Sequence, residues 1–188
     1  MKQLISVLCL LLPFFQTLGQ NTHDETLIGQ RAWRVPPLPV EDGQIVYRDA
    51  IRLEGISSET LYKRALNWLQ YNLKTDDQSI TPNKKDGSIS GRGKITYNQN
   101  IVASNAIQGI YFDYDIQVSD GGYTYDITNL QGVLSGKRLD YSAMYREELN
   151  NIEKPGQWNH KYRYEMLSDA HSFVTLMIQS LKNAMIKD

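Results

Sequence analysis

The chain has 188 residues, 41% of them hydrophobic and 22% charged, with a formal net charge of −1 and a single cysteine. The length suffices for one domain with a sizeable core. Near-neutral charge excludes a global basic field that would draw the chain to nucleic acid or anionic lipid.

Lys2 is followed by an apolar run from Leu4 to Phe15 and then by Thr17-Leu18-Gly19, with small residues at the −3 and −1 positions. This pattern reads as a secretory signal peptide over residues 1–19, cleaved after Gly19. The run is shorter than the roughly 20 residues that span a bilayer, so no membrane span is expected. Cys9 lies inside the apolar run and follows Leu8, where a lipidation site would want a small residue, so no lipid anchor is expected either. The expected location is exported, periplasmic or extracellular. Cleavage removes the only cysteine, which leaves no disulfide, thiol nucleophile or thiolate metal site. Loss of Lys2 takes the formal charge from −1 to −2.

Residues 20–42 are polar and then Pro-rich (Pro36, Pro37, Pro39) and read as an extended leader, in which Trp33 is the residue expected to dock. A single domain follows over 43–188. Gly43 opens a strand to Leu53, with Ile45, Tyr47, Ile51 and Leu53 on one face and Arg48 and Arg52 on the other. Ser57 is a helix N-cap, with Ile56 and Leu61 at the spacing of a hydrophobic staple. Leu61, Ala65, Trp68, Leu69 and Leu73 then form one stripe of a four-turn helix.

Short β segments come next. Gln78–Lys84 reads as a strand with Pro82 pointing to an edge position, and a turn at Asp86-Gly87 leads to Ser88–Tyr97. A two-residue turn would set Ile80 opposite Gly93. Ile89, Gly91, Gly93, Ile95 and Tyr97 alternate with polar residues, and the two inward glycines predict the close approach of a packed helix. From Ile107 to Leu130 the chain forms a hairpin around Asp120-Gly121, a type I′ signal with φ > 0 at both residues. Turn chemistry and alternation independently pair Val118 with Tyr123, Ile116 with Tyr125 and Tyr114 with Ile127 on an apolar face. The other face carries Gln117–Thr124, Asp115–Asp126 and Asp113–Thr128.

Residues 131–165 read as an irregular but ordered excursion. Ser142–Asn151 is able to hold a short helix, Pro155-Gly156 makes a turn, and Trp158, Tyr162 and Tyr164 are too aromatic for disorder. A last helix begins near Ser168 and carries Ala170, Phe173, Val174, Met177, Leu181, Ala184 and Met185 on one stripe. The order β-α-β-β-β-β-α predicts an α+β domain of two layers, a curved antiparallel sheet packed on two helices and gripping the terminal one.

That order, with the Leu61-Tyr62-x-x-Ala65-Leu66-x-Trp68-Leu69 helix and the Gly91-x-Gly93 strand, resembles a secreted Bacteroidetes domain of unknown function with a TATA-box-binding-protein-like fold. The resemblance covers roughly Gln44 to Met185 and implies the same β-α-β4-α plan and an exported location. It brings no catalytic residues, and the fold name does not imply DNA binding.

Site chemistry is sparse. Asp113, Asp115 and Asp126 share the outer face, and opposed like charges invite a hard cation. Neutralisation by Arg92 or Lys94 on a solvated face is the favoured alternative, because a Ca²⁺ site wants about six oxygens or more, so no metal is expected. His23, His160 and His171 have no ligand spacing, and His171 falls off the apolar stripe onto the helix surface. No nucleophile elbow or Ser-x-x-Lys pair occurs, and Gly91-Arg92-Gly93 lies in mid-strand without the helix a phosphate loop needs. Tyr97, Tyr114, Tyr123 and Tyr125 crowd one sheet face, as a Tyr-rich core or as the wall of an apolar ligand site. Nucleic-acid recognition would need cations among those rings, whereas Arg92 and Lys94 point the other way.

The expectation is an exported, non-enzymatic binding or interaction module without a cofactor. An apolar ligand would lie between sheet and terminal helix, against Gly91, Gly93, Tyr97, Tyr114, Tyr125, Phe173 and Met177. The alternatives are a structural or protein-interaction domain of the cell envelope, using edge strands or the Trp33 and Trp158 segments, and thirdly a hydrolase without a recognisable motif.

Overall fold

A computed structural model describes residues 35–73, 79–96, 107–134, 137–150 and 160–187. The signal segment, Trp33, Tyr97 and Trp158 lie outside the described residues. Among the described residues eight strands and three helices follow in chain order: β1 (Val40–Glu41), β2 (Gln44–Ile45), β3 (Tyr47–Arg52), α1 (Ser58–Asn72), β4 (Ser79–Asn83), β5 (Ser88–Ile95), β6 (Ile107–Ser119), β7 (Gly122–Leu134), β8 (Lys137–Asp140), α2 (Tyr141–Asn150) and α3 (His160–Ile186).

The strand expected from Gly43 to Leu53 is divided. β1 and β2 make a small antiparallel ribbon around Asp42 and Gly43, both at positive φ, and Val46 turns its N–H to the Pro39 carbonyl at 3.0 Å. β3 then enters the main sheet, whose strand order is β3-β7-β6-β5-β4, with β8 added along the far half of β7 on the side also used by β3.

Helix α1 starts where expected. The Ser57 hydroxyl accepts from the Thr60 N–H, and the Asp120 carboxylate at the hairpin tip accepts from the Ser58 N–H at 2.7 Å. Two of the helix's orphan donors are thus satisfied. Leu61, Ala65, Trp68, Leu69 and Leu73 are all buried, and so is Tyr62.

The β6–β7 register is the one read from alternation: Val118 opposes Tyr123, Ile116 Tyr125, Tyr114 Ile127, and Asp115 Asp126. The turn differs from the type I′ expectation, since Gly121 has φ 76° while Asp120 is not at positive φ. Its geometry is set by docking: Gly121 donates to the Ile56 carbonyl and accepts from the Leu53 N–H. Farther along, Asn129 (φ 52°) and Leu130 together oppose Phe112, a β-bulge that returns Leu130 to the buried face three residues after Ile127.

The β4–β5 register is shifted by two from expectation, with Ile80 opposite Gly91. The loop spans Lys84 to Gly87 rather than two residues, closed by the Asp86 N–H to the Asn83 side chain and by Asn83 Nδ2 to Asp86. A slip of two keeps every side chain on its own face.

The expected excursion over 131–165 is largely regular among the described residues: the end of β7, then β8, α2 and the first turns of α3. Helix α3 begins at His160, two turns before Ser168, because Met166 and Leu167 extend its buried stripe through Ala170, Val174, Ile178, Leu181 and Met185. Helices α1 and α3 lie on one face of the sheet and share a core with Phe112, Tyr114, Ile116, Tyr125 and Ile127. The fold is therefore the expected curved α+β layer pair, with a third helix, α2, added. No helix among the described residues is long and apolar enough to cross a membrane.

Candidate functional site

Tyr114 and Tyr125 point inward and are buried, as the alternation requires. The space beside the two glycines is not hollow. A Cβ on Gly91 would lie 1.9 Å from the Ser79 carbonyl oxygen and 2.7 Å from the Tyr114 hydroxyl, and that hydroxyl crosses the glycine to donate to Ser79 O at 3.0 Å. A Cβ on Gly93 would lie 2.6 Å from the Phe112 ring and 3.0 Å from Leu73. Neighbouring-strand aromatics, rather than a helix backbone, occupy the glycine clefts. Where the sheet meets α1 and α3 the remaining void, lined by Tyr114, Tyr125, Met177 and Ile178 among others, measures about 10 Å³, at the threshold for one water molecule. Gly91, Gly93, Tyr114 and Tyr125 are thus packed core with no room for a ligand between them. Tyr97 lies outside the described residues.

Burial disfavours the charged phenolate. The Tyr114 hydroxyl is pushed up to about 12, and burial also raises Tyr47 and Tyr123 well above the ordinary tyrosine range. Tyr125 is raised by burial against the opposing influence of Lys182. At that end of the seam Lys182 donates to Asp49 at 2.7 Å with its ammonium 5.7 Å from the Tyr125 ring centre. These contacts latch α3 to the sheet edge.

Phe173, another expected ligand residue, lines a different space, and Met177 borders both that space and the seam. Together with Trp68, Asn72, Leu73, Ile95, Leu176 and Ser180 they bound an open groove of about 300 Å³ where the ends of α1, β5 and α3 converge. Trp68 Nε1 donates to Ser180 Oγ at 3.0 Å and Asn72 Nδ2 to the Trp68 carbonyl at 2.9 Å, while Leu176 is 66% exposed. Lys94 runs along the groove's edge with its ammonium turned to the Tyr111 ring, 4.9 Å from its centre. A larger cleft of about 390 Å³ at the start of α1 is lined by Ser58, Glu59, Lys84 and Lys85 among others. There Asp120 and Ser57 already cap the helix, and Glu59 is ion-paired to Lys63 and Lys84.

On the outer face the acidic residues are brought together as expected, and most are neutralised. Arg92 donates to Asp113 at 2.9 Å and Asn129 to the other carboxylate oxygen at 2.7 Å. Burial pushes Asp113 up, but these two donors outweigh it and hold the carboxyl below its ordinary value. Asp126 is paired with Arg48, a partner from β3 that alternation within the hairpin does not reveal. Asp115 is raised by burial and then by Asp126. Among the described residues no group of three or more potential ligands is arranged to hold a metal ion.

The histidines sit differently from expectation. His171 is not a bare surface residue: its Nδ1 lies 2.9 Å from the Tyr47 hydroxyl and its ring stacks on that tyrosine at 5.7 Å. His160 Nδ1 donates to the buried Glu148 carboxylate at 2.5 Å, and Arg163 donates to Glu148 at 3.0 Å and to Glu147 at 2.8 Å. This cluster ties α2 to α3. Its signal in the sequence is Glu148, which falls on the stripe of Tyr141 and Met144 at helical spacing, where a charge needs a partner. His23 lies outside the described residues.

Residues 47–132 match the model of a domain of unknown function, DUF4468, with a TBP-like fold. That segment, a little under half of the chain, is similar to DUF4468 and has its TBP-like fold. The match is narrower than the Gln44–Met185 span of the sequence resemblance, and α2 and α3 fall outside it. Two crystal structures share the fold. One is a TBP-like protein from Parabacteroides distasonis, 16% identical, with 78% of this chain and 96% of that chain covered at a TM-score of 0.60. The other is a DUF4468 family protein from Bacteroides ovatus, 15% identical, with 85% and 96% covered at a TM-score of 0.60. No curated protein matches the chain.

Proposed function

We propose that this protein is an exported, non-enzymatic module that binds a small, uncharged apolar molecule in the groove at Trp68, Phe173 and Met177. The groove carries this reading. Its volume lies near the lower end of the roughly 300–1,000 Å³ typical of ligand sites, and apolar side chains form most of its wall. The hydrogen bonds of Trp68 and Asn72 are made within the wall, and the charged residue of the lining, Lys94, turns its ammonium to the Tyr111 ring, which favours a ligand without charge. The non-enzymatic part is supported by both described histidines being committed to structural partners, His171 to Tyr47 and His160 to Glu148. Export rests on Lys2 and the apolar run that follows it, and amino-terminal sequencing of the mature protein should begin at Gln20.

Titration with the neutral apolar dye Nile red tests the groove. Saturable binding with quenching of Trp68 is expected, weakened roughly tenfold or more in Leu176→Glu, which buries a carboxylate against the ligand. Binding that is absent from the wild type, or unchanged in the variant, removes the groove reading.

The interaction-domain alternative is favoured by a separate observation on the opposite face. Arg138 donates to Gln131, Gln131 to Asn129, Asn129 to Asp113, and Arg92 to the same Asp113, a continuous line of side chains across an exposed surface.

A further inference from the structure

The outer face of the sheet is polar and uncovered at Asp115, Gln117 and Thr124, all exposed. Its charges are not evenly mixed. The middle carries Asp115 beside Asp126, the latter paired with Arg48, while the end near the tip of β5 carries Arg92, Lys94 and Arg138. Lys94 and Arg138 approach one ring, Tyr111, with the ammonium 4.9 Å and the guanidinium carbon 5.3 Å from its centre. The two charges therefore lie within about 10 Å of each other. Both carboxylates near them are engaged: Asp113 by Arg92 and Asn129, and Asp140 by the N–H groups of Ser142 and Ala143 at the start of α2. Among the described residues neither Lys94 nor Arg138 has a carboxylate partner.

These cations are held in place before anything binds. The charged heads of Lys94 and Arg138 both lie over Tyr111, an outer-face aromatic only 8% exposed. Arg138 is also the terminal donor of the hydrogen-bonded line through Gln131, Asn129 and Asp113 to Arg92. Isolated pairs on an exposed surface contribute little to stability and lose side-chain entropy, so such ordering favours recognition by reducing what a partner must immobilise.

We propose that this end of the sheet docks an extended polypeptide segment whose alternate acidic side chains meet Lys94 and Arg138. In an extended chain alternate side chains project from one side about 7 Å apart, which lies within the reach of the two cations. A uniformly anionic partner fits worse. A nucleic acid or an anionic bilayer laid over the face would press phosphates against the exposed Asp115, whereas a polypeptide places a neutral or basic residue there. Lys94 also borders the apolar groove, but nothing in this inference requires a ligand there.

The test is fluorescence anisotropy of a labelled peptide alternating glutamate with threonine, at low salt, against the full mature chain. Binding is expected to weaken with added sodium chloride and to fall at least tenfold in the Lys94→Gln/Arg138→Gln double variant. The charge-reversed Lys94→Glu/Arg138→Glu chain is expected to exchange this preference for a peptide alternating lysine with threonine, and circular dichroism checks that each variant is folded. The proposal is overturned if the glutamate peptide does not bind, if it binds wild type and double variant alike, or if folded charge reversal leaves the preference unchanged. Stronger binding of phosphatidylglycerol vesicles or of a single-stranded oligonucleotide than of the peptide also overturns it.

Discussion

The inner and outer faces of β6 alternate residue by residue along the same strand. Inward, Phe112, Tyr114, Ile116 and Val118 are each no more than 5% exposed, and the seam they form with α1 and α3 keeps a void of only about 10 Å³. Outward, Asp115 and Gln117 are exposed and the half-buried Asp113 accepts from Arg92 and Asn129. The comparison shows how a large aromatic and a glycine on neighbouring strands act as one unit. Gly91 and Gly93 do not open a pocket; they make space for the rings of Tyr114 and Phe112, so a sequence pattern that suggests a ligand site instead closes it. The outer face has no space to fill, and its side chains pair with one another instead.

If that division is right, substitutions on the two faces should differ sharply. The largest effect is expected from Phe112→Ala, which empties the cleft over Gly93 and should lower unfolding free energy by about 3–5 kcal/mol in urea titrations. Gly91→Ala should come next at about 1–3 kcal/mol, since its Cβ meets the Ser79 backbone carbonyl, which cannot rotate away. Alkaline pH should sharpen the contrast further. Tyr114 titrates at about 12 when folded, and Tyr47 and Tyr123 are also raised. Unfolded tyrosines ionise near 10. Above that pH the unfolded chain releases protons that the native state retains, so stability should fall as pH rises past 10 while phenolate absorbance lags behind a free-tyrosine standard. The smallest effect is expected outside the core: Asp115→Ser should change stability by no more than about 0.5 kcal/mol. A loss from Asp115→Ser as large as that from Phe112→Ala would erase the distinction.

Much of this fold was legible in the sequence, and the failures have local causes. The β6–β7 register followed from alternation alone, because a slip of one residue would turn Ile116 and Tyr125 to solvent. The same two-residue periodicity concealed the error at β4–β5, where the Asn83–Asp86 hydrogen bonds lengthen the loop without exchanging faces. Asn129 at positive φ gave no warning of the bulge, and the turn at Asp120-Gly121 took its shape from docking on Ile56 and Leu53, which turn statistics do not see. The start of α3 was missed because Tyr162 and Tyr164 read as an aromatic excursion, although Met166 and Leu167 continue the stripe. For the candidate sites, Phe173 and Met177 were identifiable as helix residues near an apolar space. That the space lies at the mouth of the seam depends on the Phe112 ring reaching Gly93 from the next strand. The Arg48–Asp126 and Lys94–Tyr111–Arg138 contacts join strands far apart in the chain, and single-strand patterns do not carry them.

Crystals pressurised with xenon, which enters dry apolar cavities large enough to hold it, would test the filled seam most directly. No xenon is expected between Tyr114, Tyr125 and Ile178; an atom bound there, in contact with both tyrosines, would show that the sheet–helix interface is hollow and contradict the account.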